Sequence, residues 1–342
     1  MRKILIIGGT GTISSAVVKK AVEDGEEVFL LNRGNRISIF NDKRINHFNC
    51  DINDTDTVNS LLGDTIFDVV ADFISFVPEH LERNFFLFKK RTKQYIFISS
   101  ASAYQKPLGH YLITEGTPLS NPYWEYSRNK ILCEEYLINK YRAEGFPVTI
   151  VRPSHTYDER SIPLGVHGKN GSWQVANRMF EGKPVIIHGD GTSLWTMTHN
   201  SDFAMGFNGL FGNIHAIGEA VHITSDETVT WNQVYESIAA ALGVELKAVH
   251  VASEFLALSG DYDLTGSLIG DKANSVVFDN SKIKRLVPGF CAKTRFDTGI
   301  KQTIENVLSN KELRIEDPEF DRWCDHLISL YLKASADVRA LA

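Results

Sequence analysis

Tyr126 and Lys130 stand four residues apart in the run Trp124-Glu125-Tyr126-Ser127-Arg128-Asn129-Lys130. On a helix that spacing puts both side chains on one face, one turn apart. An ammonium beside a phenol favours the phenolate, so Lys130 is expected to draw the Tyr126 pKa down from its ordinary value of about 10. A tyrosine tuned in this way can exchange a proton with a substrate hydroxyl. Hydride transfer is beyond any side chain, and the pair therefore calls for a bound nicotinamide.

The start of the chain offers a seat for such a cofactor. Lys3–Ile7 is a continuous apolar run, as expected of a strand buried on both faces. Gly8-Gly9-Thr10-Gly11 follows, and then a helix over Ile13–Asp24 with Ala16, Val17, Val18 and Ala21 facing inward. Strand, turn and helix N-terminus together aim backbone N–H groups and the helix dipole at a pyrophosphate, and glycines let the backbone come close. Ser14 stands where a third glycine is usual; it is small enough to keep the helix against the strand. The second strand ends in Leu31-Asn32-Arg33-Gly34-Asn35-Arg36, with no acid to take the ribose hydroxyls. Arg33 and Arg36 are placed for a 2′-phosphate, which favours NADP over NAD. Asp51-Ile52 is placed for the adenine.

The elements that must hold these residues can be read from the apolar runs. The second strand is Glu26–Leu31, a weaker third is Ile45–Cys50, and further strands fall at Phe67–Ala71, Gln94–Ile98 and Pro147–Val151. Strands that recur with helical intervals imply right-handed βαβ units and an α/β, doubly wound parallel sheet. Ser99 and Ser100 follow the fifth strand, whose C-terminal end should face the ligand crevice. Past Arg152-Pro153 the texture changes. Ser161–Ser172, with Pro163 and three glycines, reads as a loop over a pocket. Trp173–Glu181 is expected to be helical, and Lys183–His188 a short strand ending in the turn Gly189-Asp190-Gly191. Ser201–Leu210 then forms a helix, Ala220–Thr224 a strand returning to the sheet, and Trp231–Leu242 a helix stopped by Gly243. Thr298–Leu308 and Phe320–Lys333 are expected to be outer helices. The expected division is a Rossmann domain at 1–157, rejoined by a segment near 200–226, and a smaller interleaved substrate-binding lobe at 158–342.

Composition narrows the partners. The chain has 342 residues, 43% hydrophobic and 23% charged, the balance of a soluble globular protein. A net charge of −6 argues against nucleic acid, which wants a basic face. Cys50, Cys133, Cys291 and Cys324 are scattered and form no C-x-x-C pair, so neither a zinc site nor a redox dithiol is expected, and no other metal site is seen. Isolated reduced cysteines fit a cytoplasmic protein. The first apolar run is too short for a signal-peptide core, and no stretch is long enough to span a bilayer.

With these motifs in hand, the chain resembles the extended short-chain dehydrogenase/reductase family, in particular its NAD(P)-dependent epimerase/dehydratase branch. The resemblance rests on Gly8-Gly9-Thr10-Gly11-Thr12-Ile13, Asp68-Val69-Val70, Phe97-Ile98-Ser99-Ser100-Ala101-Ser102-Ala103-Tyr104 and Tyr126-x-x-x-Lys130. Arg152-Pro153, Gly189-Asp190-Gly191 and Phe278-Asp279-Asn280-Ser281-Lys282 extend it. It implies that Ser100 holds the reacting oxygen, that Tyr126 is the acid/base and that Lys130 binds the nicotinamide ribose. It also implies that Phe73-Ile74-Ser75, Ser99 and Pro153 run beside the cofactor, with Ser102 and His155 near a small-molecule substrate. A homodimer through the Tyr126 helix is implied as well.

The chain departs from the family pattern in two places. Ser100 is followed by Ala101-Ser102 rather than by the acidic pair of the nucleotide-sugar dehydratases, which disfavours a 4,6-dehydratase. Trp195 stands where many epimerases carry an arginine for the sugar-nucleotide diphosphate, and an indole cannot neutralise a diphosphate. Lys169 and Arg178 are candidates for replacement charge. The expected activity is hydride transfer to or from a secondary alcohol or ketone, on a sugar or a nucleotide sugar. The alternative is an NAD(P)-binding regulator or RNA-binding protein without turnover. The glycine turn, Leu31-Asn32-Arg33-Gly34 and Trp323-x-Asp325 look like an atypical branch that includes chloroplast stem-loop RNA-binding proteins. Members of that branch often lack the Tyr and Lys kept here.

Overall fold

The computed structural model describes residues 1–34 and 42–341. Arg36 lies outside them. Seven parallel strands form the central sheet: β1 (Lys3–Ile7), β2 (Glu27–Asn32), β3 (Ile45–Asn49), β4 (Val69–Asp72), β5 (Tyr95–Ile98), β6 (Val148–Pro153) and β7 (Ala220–Ile223). Their spatial order is β3-β2-β1-β4-β5-β6-β7. The chain runs outward from β1 to β3 and then returns to β4 on the other side of β1. That reversal opens a crevice at the C-terminal ends of β1 and β4, where α/β sheets of this kind take their ligands.

The apolar runs explain which strands are central. Ile4, Leu5, Ile6 and Ile7 are fully buried, because β1 has strands on both sides and helices on both faces. On one face α1 (Thr12–Glu23) packs beneath α6 (Asn200–Gly209), burying Val17, Val18 and Ala21 with Phe203 and Phe207. Val22 is buried there, whereas Ala16 is only half-covered. On the other face lie α2 (Thr55–Leu62), α3 (Pro78–Phe88) and α4 (Glu125–Glu144), over Leu5, Ile7, Val70 and Phe97. Asp54 caps α2 through its carboxylate, and Gly145, with φ +68°, ends α4.

The expected return of the chain to the sheet occurs as α6 and β7, with β7 pairing parallel to β6. Strand ends differ from expectation by one to two residues: β4 starts at Val69, and β6 continues through Arg152 to Pro153.

The second core is assembled from segments far apart in sequence. Ile162, Leu164, Trp231, Leu268, Phe296 and Phe320 meet in one apolar cluster. Around it lie α5 (Trp173–Phe180), α7 (Trp231–Leu242), α8 (Phe296–Ser309) and α9 (Pro318–Arg339). Thr230 and Gln233 form a capping box at the start of α7, and Gly243 closes it in the left-handed conformation. Thr265–Lys272 is a π-helical segment that sequence periodicity did not reveal. No described helix is long and apolar enough to cross a membrane, and all four cysteines are unpaired.

Candidate active site

Two cavities meet at Tyr126. One is a cleft of about 770 Å³ along the C-terminal ends of the sheet strands. The other, of about 380 Å³, lies between the sheet and the second core. The side chains of Thr12, Tyr126 and Pro153 line both.

The cleft begins at the glycine turn. Gly8, Thr10, Gly11, Thr12 and Ile13 line it. Gly8 has φ +81°, and a Cβ there would fall 2.2 Å from Ile74 Cγ2, so only glycine fits. Gly9, expected to touch the cofactor, does not line the cleft. It is packed against Leu30 and Val18, and its N–H donates to Asn32 Oδ1 at 3.0 Å. Asn32 lines the cleft while fastening the turn to the end of β2. Ser14 explains its own presence. Its hydroxyl donates to Gly8 O at 2.7 Å and accepts from Gly11 N–H at 2.9 Å, bridging the turn.

Arg33, Asp51 and Ile52 line the far end of the cleft, and Arg33 is exposed. His80 and Arg83, one turn apart on α3, also line it and were not singled out from sequence. Arg83 is held by Asn84 Oδ1 at 3.0 Å and by Asn53.

Phe73, Ile74, Ser99 and Pro153 line the near end, but Ser75 does not. Ser75 is fully buried because Asp72, at the end of β4, gathers the loop. The Asp72 carboxylate accepts from Ile74 N–H at 3.0 Å, Ser75 N–H at 3.1 Å, Tyr95 Oη at 2.6 Å and Asn84 Nδ2 at 2.9 Å, and also from the Ser75 hydroxyl. Its sequence signal is a carboxylate directly after an otherwise apolar run, Val69-Val70-Ala71. The Ser75 carbonyl then accepts from Lys130 Nζ at 2.7 Å, and the Ile98 carbonyl accepts from the same ammonium at 2.7 Å.

The expected coupling of Lys130 to Tyr126 is corrected by this geometry. The ammonium spends donors on two carbonyls and lies 5.8 Å from the centre of the Tyr126 ring. Burial draws the Lys130 pKa down to about 8, partly opposed by Asp72. Burial also pushes the Tyr126 phenol up rather than down, with the neighbouring Ser100 hydroxyl pulling partly back. The phenol is therefore protonated at neutral pH in the free protein.

Ser100 sits between strand and turn. Its hydroxyl accepts from Ser102 N–H at 3.1 Å and shares a hydrogen bond with Ser102 Oγ at 2.9 Å. Ser127, next to Tyr126 on α4, donates to Ser102 Oγ at 2.7 Å. A chain of three hydroxyls thus ties Ser100 to the tyrosine helix. Ser102, expected to face substrate, lines the smaller cavity, but its hydroxyl is largely taken by these two serines. Ser99 donates instead to Glu134, which is paired with Arg152 at 2.6 Å. This buried network fixes α4 to β5 and β6.

His155 and Trp195 both line the smaller cavity, and the Trp195 indole N–H donates to His155 Nδ1 at 3.0 Å. Burial, with Lys272 and His167 nearby, draws the His155 pKa down to about 3. Neither candidate for replacement charge lines this cavity. Arg178 is fully buried between Asp321, at 2.6 Å, and Asp325, at 2.8 Å, and pins α5 to α9. Lys169 is exposed and 3.9 Å from Glu319. Lys272, at the end of the π-helical segment, lines the cavity and carried no sequence signal.

Among the described residues no group of three or more His, Cys, Asp or Glu could hold a metal. The glycine turn, the α1 N-terminus, Arg33 and the Tyr126–Lys130 face together suit a dinucleotide.

A parallel sheet with this crevice, bordered by a Tyr–Lys–Ser face, has the architecture of the short-chain dehydrogenase type. The chain belongs to the NAD dependent epimerase/dehydratase family, whose model matches residues 4–221. It is similar to a UDP-glucose 4-epimerase of Lactobacillus helveticus, with 30% identity over 170 residues, 44% of this chain and 50% of that one. It is also similar to the chloroplast stem-loop binding protein of 41 kDa b of Arabidopsis thaliana, with 29% identity over 265 residues, 73% of this chain and 66% of that one. The matched stretches thus span half of the first relative and 66% of the second. Among solved structures, an epimerase from Methanothermobacter thermautotrophicus superposes with a TM-score of 0.73 at 17% identity, covering 92% of this chain and 94% of that one. The UDP-glucose 4-epimerase of Thermus thermophilus in complex with NAD gives 0.68 at 20% identity, covering 89% and 98%.

Proposed function

We propose that the protein is an NAD(P)-dependent epimerase or oxidoreductase acting on a secondary alcohol or its ketone, with a sugar as the substrate class. The observation that carries this is the position of Tyr126, whose side chain borders both the cleft and the smaller cavity. The turn from Gly8 to Ile13 and the α1 N-terminus would hold the pyrophosphate, and Asp51 and Ile52 the adenine. Phe73, Ile74, Pro153 and Lys130 would hold the nicotinamide half. That group, when bound, supplies or accepts hydride. Tyr126 gives or takes the proton of the substrate oxygen, and Ser100 holds that oxygen. Lys130 supplies the positive charge that makes loss of the phenol proton less costly once its ammonium has ribose and phenol to face.

Arg33, exposed at the end of β2 where no acid stands, favours NADP. NADPH is expected to bind more tightly than NADH, and Arg33→Ala to narrow the gap. Equal affinities in the parent protein would remove this preference. The two relatives' names point in different directions, to sugar epimerisation and to stem-loop binding. The Tyr126, Lys130 and Ser100 arrangement favours the enzyme, and the net charge of −6 weighs against a nucleic-acid partner. A cytoplasmic homodimer through α4 belongs to the same reading; sedimentation checks the assembly.

The deciding experiment is Tyr126→Phe. Turnover should be lost while nucleotide affinity stays within a few-fold, and an active variant would end the proposal. Mass spectrometry of nucleotide released on denaturation separates the two reaction types. Tightly retained NAD(P) belongs to an epimerase, which returns the hydride to the same substrate, and freely exchanging nucleotide to a net reductase.

A further inference from the structure

The smaller cavity has an unusual balance of groups for a site beside a dinucleotide. Lys272 is its one Lys or Arg among the described lining residues. Two carboxylates, Asp271 and Asp158, line it with that ammonium. Asp158 is matched from behind by Arg160, and Asp271 faces the buried Lys106 at 4.0 Å. A diphosphate brought here would meet a single ammonium, since Arg160 and Lys106 are engaged with the two carboxylates, and its desolvation would go largely uncompensated.

The remaining polar lining is neutral. Ser100, Ser154, Ser161 and Ser172 offer hydroxyls, and Trp124 and Trp195 offer flat apolar faces. Hydroxyl donors beside indole faces suit a ring with apolar C–H faces and polar edges.

His155 is fixed in one protonation form by its neighbours. The Trp195 N–H can donate only to an unprotonated Nδ1, so the ring proton must sit on Nε2. Trp195 is itself held, its ring 5.3 Å from that of Trp231, whose indole N–H donates to the Lys272 carbonyl at 3.1 Å. His188 donates to the same carbonyl at 3.1 Å. The charged and titratable groups facing His155 are Lys272 and His167, and both oppose a second proton on its ring. The imidazole therefore stays neutral across the physiological range.

We infer that the smaller cavity takes a compact polyhydroxylated alcohol or ketone without a diphosphate, and that His155, held by Trp195 as the Nε2–H tautomer, donates a hydrogen bond to one of its oxygens. This deepens the reading of Tyr126 as the acid/base and rests on the cavity being its substrate side. His155 contacts substrate, and Trp195 is a positioning residue.

Two measurements on the nucleotide-loaded protein test this without a known substrate. In protein labelled with ¹⁵N-histidine, the His155 signals are identified by their loss in His155→Asn. They should show a protonated Nε2 and a bare Nδ1, unchanged from pH 5 to 8. In Trp195→Phe the same signals should become a mixture of tautomers. A protonated Nδ1 in the parent protein, or titration of His155 within that range, would overturn the assignment; the parent spectrum decides even where Trp195→Phe folds poorly. Calorimetric titration with UDP and with inorganic pyrophosphate should give dissociation constants weaker than about 1 mM. Tighter binding of either would overturn the substrate class. Neither readout uses turnover, so loss of the Tyr126 assignment is scored separately.

Discussion

The cleft and the smaller cavity share one wall but are built by different rules. The cleft is made of strand ends and the turns that leave them, in chain order from Gly8 to Lys130. Its shape follows from the sheet, and the glycine turn supplies much of its floor. The smaller cavity takes Trp124 from α4, His155 from beyond β6, Trp195 from a short strand and Lys272 from a π-helical turn. Its chemistry follows from side chains that meet only after the second core has formed. The first region is shaped by features of the fold, the second by residues particular to this chain.

Tests can break that contrast, and the largest effect is expected at the shared wall. Tyr126→Phe should lower turnover by about 10³-fold, within the usual range for a general acid–base group. Steady-state rates check the loss, and fluorescence titration of NADPH checks that the cleft survives. Next comes the backbone of the cleft. In Gly8→Ala the added carbon meets Ile74 Cγ2 and the residue must hold φ +81°. A stability loss of roughly 1–3 kcal/mol is expected in urea unfolding, together with weakened nucleotide binding. Ile74→Ala in the same protein should restore only the steric part.

A comparable loss is expected in the second region at Arg178, but with a different signature. Arg178→Met removes the cation between Asp321 and Asp325 and leaves the Pro184 and Asp321 carbonyls without that donor, which should cost about 1–3 kcal/mol. Substrate KM should be unchanged at a temperature where the variant is folded. A selective rise in KM would return Arg178 to the substrate-binding set.

The last test is a matter of pH. The Lys130 pKa is about 8 in the folded protein, below its ordinary value of 10.5. Between those values the unfolded chain holds more protons than the folded one, so this group's contribution to stability rises with pH across that window. Below pH 8 the buried charge is a constant handicap. The stability difference between the parent protein and Lys130→Met should therefore shift in favour of the parent as pH goes from 8 to 10.5. A flat difference would place Lys130 in a more polar setting than described.

Sequence reading was strong where local pattern and fold coincide. The glycine turn, the Asn32–Arg33 strand end and the Tyr126–Lys130 spacing each lie within a few residues, and each lines the cleft. Reading failed where a residue's role depends on what spends its hydrogen bonds. Gly9 is a packing residue, and Ser75 lends a carbonyl rather than a side chain. The direction of the Tyr126 shift follows from burial, which spacing does not reveal; Lys130 stands on the expected face, but the carbonyls of Ser75 and Ile98 hold its ammonium. Lys272 was beyond reach, since a π-helical turn has no periodicity that composition reveals. Arg36 lies outside the described residues, so its part in the 2′-phosphate expectation rests on Arg33.

Ser14 has a consequence for how quickly the protein can work. Its hydroxyl staples the turn shut from within, touching Gly8 on one side and Gly11 on the other. A loop fixed in this way before a dinucleotide arrives would need little ordering to receive it. Association at this end should then be governed by encounter, and replacing Ser14 with glycine should slow capture of the nucleotide more than it hastens escape.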